Sequence, residues 1–119
     1  MIRHKLSGVG AAMITPFTAD GRIDYEALAS TVDYVIEGGA DYIVALGTTA
    51  ETPTLYMPER AVIAMFISNH IAGRVPLVIG VGGNSTSEVL DQLREFDLRR
   101  ADAILSVTPY YNKPSQEGL

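Results

Sequence analysis

The sequence predicts an α/β fold: four parallel strands joined by three crossover helices, arranged as the N-terminal half of a TIM (β/α)8 barrel. Residues 1–119 read as one partial barrel, strands 1 to 4 with the start of a fourth helix. Three observations predict it. Four short apolar runs alternate with three longer segments of helical period, the pattern of parallel strands and their return helices. The runs lack a polar face, most clearly in "PLVIGVG", as strands covered on both sides must. Each run is followed by a stretch rich in hydroxyls, glycine or aromatic rings: "TPFTADG", "GTTAETP", "GVGGNST" and "TPYYNKP". A barrel turns every C-terminal strand end into one mouth and so gives all four stretches a place in one site. A flavodoxin-like doubly wound domain is the alternative. It gathers its site at one switch point, leaves some of these loops idle, and needs a fifth strand that this sequence does not reach.

The elements follow in order. "GVGAAMITPF" supplies the first strand, around Val9 to Thr15. "TADGRID" turns the chain and offers Asp24 as N-cap, after which Leu28, Val32, Val35 and Ile36 recur at helical spacing on one face. "EGGA" ends that helix with glycine, which takes a left-handed C-cap without steric cost. "DYIVAL" is the second strand. Pro58 suits a first helical turn, and Val62, Met65, Phe66 and Ile67 are read as the apolar face of the second helix, which "AGRVP" stops. "PLVIGVG" is the third strand. "GGNSTSEV" has the capping-box spacing at Ser85 and Glu88, and Val89, Leu90, Leu93 and Phe96 are read as lining the third helix. "DAILSVTPYY" is the fourth strand. Beyond it, Ser115, Gln116 and Glu117 resemble the first turn of another helix with only Leu119 to give it an apolar face, so the chain reads as cut.

Composition removes several function classes. With 47% hydrophobic and 19% charged residues the chain has the make-up of a soluble globular domain. It has no cysteine, so disulfides and thiolate metal sites are excluded and a reducing compartment fits. His4 and His70 lack ligand spacing, and no metal site is expected. A net charge of −5, with nine basic residues spread along the chain, argues against nucleic acid and anionic membranes as partners. No apolar run is long enough to span a bilayer, and no apolar segment follows the basic start "MIRHKLSGVG", so a cytoplasmic protein is expected. The sequon at Asn84 to Thr86 then reads as accidental.

Three motifs bear on chemistry. "GVGGNS" fails as a dinucleotide fingerprint, because Ser85 stands at the third glycine position and the motif follows the third strand rather than the first; a glycine turn into a capped helix explains it better. In "GTTAET", one of the consecutive hydroxyls of Thr48 and Thr49 can join a main-chain N–H to hold an anion, most naturally a carboxylate, while the other serves a second partner. The competing reading is a capping turn that satisfies nearby amides, and the residues alone leave both open. In "TPYYNKPSQEGL", two prolines stiffen a loop from which Tyr110 and Tyr111 project, and a phenol can donate, accept or relay a proton. Rings covering an interface are the alternative. Lys5 and Lys113 lie in polar settings that would not depress an amine's pKa for Schiff-base chemistry.

"GVGAAMITPF", "GTTAET", "GVGGNST" and "VTPYYNKPSQEGL", in this order and spacing, resemble the 4-hydroxy-tetrahydrodipicolinate synthase (dihydrodipicolinate synthase) family, within the N-acetylneuraminate lyase superfamily of class I aldolase-type barrels. The resemblance covers the whole chain, and "VTPYYNKPSQEGL" favours the synthase over its sialic-acid lyase relatives. It implies a lyase that condenses pyruvate with aspartate 4-semialdehyde in diaminopimelate and lysine biosynthesis. It implies no cofactor, and a homo-oligomer, a tetramer of tight dimers. Thr48 would belong to a Thr–Tyr–Tyr proton relay, Thr49 would bind the pyruvate carboxylate, and Tyr111 would reach across the tight dimer. Asn84, Glu88 and Tyr110 match the family's allosteric lysine site, whereas Met57 and Arg60 stand where some members carry histidines, so feedback inhibition is not implied. Ala50 replaces the usual glycine after the threonines. The Schiff-base lysine, the general-acid tyrosine and the arginine for the second substrate lie on later strands, so the chain alone is expected to be inactive. Another pyruvate lyase of the superfamily, and a non-catalytic half-barrel binding or assembly module, are the alternatives.

Overall fold

A computed structural model describes all 119 residues. A single helical turn, α1 (Ile2–Lys5), precedes β1 (Gly10–Ala12), α2 (Tyr25–Glu37), β2 (Tyr42–Ala45), α3 (Met57–Ile71), β3 (Leu77–Gly80), α4 (Thr86–Glu95) and β4 (Ala103–Leu105). The strands form one sheet in the order β1-β2-β3-β4, every pair parallel. Consecutive parallel neighbours joined by helical crossovers are half of a (β/α)8 barrel, and a doubly wound order is absent. No helix is long and apolar enough to cross a membrane.

Local chemistry sets the helix limits. Asp24 caps α2 by accepting from the Ala27 N–H at 2.9 Å. The chain leaves α2 through Gly39 at φ 92, and leaves α3 through Ala72 and Gly73 at φ 50 and 79. At the start of α3 the Glu59 carboxylate accepts from the Tyr56 N–H at 2.8 Å. The capping box expected at Ser85 and Glu88 does not form. Ser85 is the N-cap of α4 without a side-chain bond to its amides, and its hydroxyl instead lies 3.1 Å from that of Ser87.

The core lies between the sheet and the helices, around Leu28 and Val32 of α2, Ile43 and Ala45 of β2, Ile63, Ile67 and Ile71 of α3, and Leu77 and Ile79 of β3. β3 is buried at all four positions, as its unbroken apolar sequence requires. Two helix faces depart from the expectation. Val62 and Met65 of α3 are exposed, because this helix is apolar nearly all round and period alone does not choose its buried stripe; Ile63, Ala64 and Ile67 take it. In α4, Leu90 and Leu93 are exposed, while Gln92 is buried and donates to the Gly82 carbonyl at 3.3 Å. A core-facing glutamine that finds a backbone acceptor displaces leucines from the inner face.

Candidate active site

The parallel strands place all their C-terminal ends on one side of the sheet, and each gives way to one of the polar stretches. After β2 the backbone bends at once. Leu46 adopts φ 57, Thr48–Ala50 forms a 3-10 turn, Glu51 adopts φ 56, and Thr52–Thr54 forms a second turn. Leu46 packs against the backbone of Gly80, where a Cβ would fall 2.1 Å from the Leu46 carbonyl oxygen. A Cβ at Gly82 would meet the Val107 side chain at 2.9 Å. "GVGG" is thus rich in glycine because strand ends approach one another closely, and neither Gly80 nor Gly82 has positive φ.

The turn is fastened from two directions. From within, Glu51 N–H donates to the Thr48 carbonyl at 3.0 Å and the Thr52 hydroxyl donates to the Gly47 carbonyl at 2.7 Å. From the neighbouring strand end, the buried Thr15 hydroxyl donates to the Ala50 carbonyl at 2.8 Å. Thr48 and Thr49 are exposed, neither caps the turn that starts at Thr48, and neither hydroxyl has a hydrogen-bond partner in the chain. Capping in this segment therefore falls to Thr52 and Thr15. Sequence reasoning passed over both, since nothing marks a threonine before Pro16 as a tether except its place at a strand end.

A cleft of about 410 Å³ opens beside Thr48, between Leu46, Thr52, Pro53, Arg60, Val81, Leu105, Val107 and Tyr110. Arg60 is the only charged residue lining it, and its Nε donates to the Leu55 carbonyl at 3.0 Å. A guanidinium and hydroxyls without a carboxylate make the cleft hospitable to an anion. The cleft brings together Thr48 and Tyr110. Thr49, Tyr111, Asn84 and Glu88 do not line it, and all four are exposed. Tyr111 is 93% exposed and sits at φ 67 at the centre of a three-residue turn, in which Asn112 N–H donates to the Tyr110 carbonyl at 2.8 Å. This is the rare, strained form of the γ-turn, and it throws the phenol clear of its own chain.

Lys5 stands apart from this mouth. Lys5 Nζ is 2.8 Å from Asp102 Oδ1, and the other Asp102 oxygen accepts from the N–H of Leu77, the first residue of β3. That places Lys5 at the N-terminal ends of the strands, across the sheet from the polar turns. Lys113 is exposed in the C-terminal segment. Among the side chains no cluster of His, Cys, Asp or Glu has the arrangement to hold a metal ion.

Fold and site together define a class: the N-terminal half of a (β/α)8-barrel protein, with its polar turns gathered at the C-terminal strand ends. The sequence pattern of the dihydrodipicolinate synthetase family matches residues 5–119, and the chain belongs to that family. It is 54% identical over 114 residues to 4-hydroxy-tetrahydrodipicolinate synthase of Parabacteroides distasonis, covering 96% of this chain and 38% of that protein. With the synthase of Porphyromonas gingivalis it shares 50% identity, covering 100% of this chain and 40% of that protein. Among solved structures, the synthase of Methylacidiphilum fumariolicum SolV superposes with a TM-score of 0.89 at 38% identity, over 96% of this chain and 38% of that one. The chloride-inhibited synthase of Acinetobacter baumannii complexed with pyruvate gives 0.88 at 42% identity, over 93% of this chain and 38% of that one. The chain thus spans about two fifths of the length of these relatives.

Proposed function

We propose that the chain forms the first four strands of a 4-hydroxy-tetrahydrodipicolinate synthase, a cytoplasmic, homo-oligomeric lyase that condenses pyruvate with aspartate 4-semialdehyde. The observation that carries this reading is the pair of unbonded hydroxyls of Thr48 and Thr49, on a doubly fastened turn at the barrel mouth. Thr49 offers its hydroxyl and backbone N–H to the pyruvate carboxylate. Thr48 and Tyr111 pass protons, and the outward-turned Tyr111 is suited to a site completed by a partner subunit. Asn84, Glu88 and Tyr110 match only part of the family's regulatory lysine site, and Arg60, in the cleft beside Tyr110, sets a fixed positive charge where a cationic ligand would have to approach, so lysine feedback is not part of the proposal. The amine that forms the Schiff base comes from outside residues 1–119, in keeping with the place of Lys5 at the opposite strand ends and the exposure of Lys113.

Pyruvate and borohydride trapping tests this directly. The 119-residue chain is expected to gain no adduct by intact mass, whereas a chimera with residues 1–119 in place of the aligned segment of the Parabacteroides distasonis enzyme is expected to trap pyruvate on the later segment and turn over. An adduct on the 12.8 kDa chain itself would overturn the proposal. A second reading, another pyruvate lyase of the superfamily, draws support from YagE. That Escherichia coli member of the dihydrodipicolinic acid synthase family was solved in complex with pyruvate, and it is 35% identical to this chain with a TM-score of 0.87. Turnover of the chimera with an aldehyde other than aspartate 4-semialdehyde would favour it.

A further inference from the structure

We infer that Thr15 is a positioning residue for the carboxylate-binding turn, an inference that rests on the role proposed for Thr49. Thr15 follows β1 and is buried, with 4% of its surface exposed. Its hydroxyl donates to the carbonyl of Ala50, 35 residues away, at 2.8 Å. Ala50 is also buried and directly follows Thr49, so the bond fixes the Ala50–Glu51 peptide, one residue beyond the turn's second hydroxyl. The rest of the turn has only local ties: Ala50 N–H to the Gly47 carbonyl at 3.1 Å, Glu51 N–H to the Thr48 carbonyl, and the Thr52 hydroxyl to Gly47. Those bonds shape the turn but do not attach it to the sheet. Thr15 joins it to the end of β1, and Pro16 after it restricts the backbone from which the hydroxyl is presented. Without that hydroxyl the Ala50 carbonyl is a buried acceptor with no partner, and the turn gains by rotating it toward water. Rotation of that peptide also withdraws the Glu51 N–H from the Thr48 carbonyl and so moves Thr49 out of register with a bound carboxylate, while Tyr111, on the loop after β4, keeps its place.

The test is steady-state kinetics of the chimera described above. Thr15→Val keeps the side-chain volume and removes the donor. The expected result is a KM for pyruvate raised about tenfold, with the KM for the aldehyde changed by less than about twofold, since loss of positioning at one anchor weakens that substrate's hold. Thr15→Ser, which keeps the hydroxyl, restores the KM for pyruvate. A Thr15→Val enzyme with a lower thermal midpoint and kcat but an unchanged KM for pyruvate would overturn the inference, because a merely structural role predicts that pattern. If Thr15→Val does not fold, Thr15→Ala carries the same expectation at lower steric demand. Thr49→Val is the control: if it leaves the KM for pyruvate unchanged, the proposed role of Thr49 fails, and if it raises KM while Thr15→Val does not, only the inference about Thr15 fails.

Discussion

Asp102 joins three parts of the chain with one carboxylate. Oδ1 accepts from Lys5 at 2.8 Å, Oδ2 accepts from the Leu77 N–H at 3.1 Å, and its own N–H donates to the Leu77 carbonyl at 2.8 Å. The ammonium of Lys5, helped by the Leu77 N–H, holds the Asp102 carboxyl below its ordinary value of 3.8 against the opposing effect of burial. A depressed folded-state pKa means the carboxylate stabilises the fold above the unfolded value and loses that contribution as pH falls through the folded one. Asp102→Asn is therefore expected to lower stability by about 1 kcal/mol at neutral pH, the scale of one hydrogen bond to a charged group after solvent screening. A protonated aspartic acid and an asparagine are near equivalents, so the gap should narrow as pH falls below the ordinary carboxylate range. Urea midpoints of both proteins from pH 7 to pH 2.5 measure this, and a gap that stays constant would show that Asp102 acts through shape rather than charge.

Among the elements, the contact between the end of β3 and the residue after β2 controls the site's geometry. A Cβ on Gly80 would meet backbone at 2.1 Å, and backbone cannot swing aside as a side-chain tip can. Gly80→Ala should cost about 3 kcal/mol or more. Gly82→Ala, facing a Val107 methyl at 2.9 Å and the Val107 backbone nitrogen at 3.0 Å, meets backbone less closely and should cost less. Thermal unfolding of the two variants ranks them, and equal costs would remove the argument. The same contact shows what the sequence made legible. Alternating apolar runs revealed four strands and three helices because parallel sheets need that alternation, and the turn "GTTAET" was visible because its hydroxyls exceed what a connection needs. The tethers were not legible. Thr15 reaches Ala50 across 35 residues, and the stripe chosen by α3 depends on which side the sheet lies. Such facts belong to tertiary packing, which local patterns do not encode.

At the scale of the whole molecule, the half-barrel is an open dish. Its extents are 43 × 42 × 22 Å, and its radius of gyration of 14.5 Å exceeds the roughly 13.5 Å of a compact domain of this length. The sheet ends on both sides with an unpaired parallel edge, β1 and β4. On the β4 side Ile104, Leu105 and Val107 are 40%, 51% and 53% exposed, so free amides and apolar side chains coincide. Edges of that kind recruit further strands. Four strands are half of eight, so a second copy related by a two-fold axis can set its β1 beside the first copy's β4 and close both seams at once. Residues 1–119 on their own are thus expected to sediment at twice the 12.8 kDa chain mass or more at tens of micromolar. Leu105→Lys places a charge where the seam would bury an apolar side chain, and should return the sedimentation to that of a single chain. A folded, monodisperse monomer for the unsubstituted chain would show that the dish tolerates its open edges. It would then follow that the remaining strands of the longer relatives serve chemistry more than they serve the stability of this half.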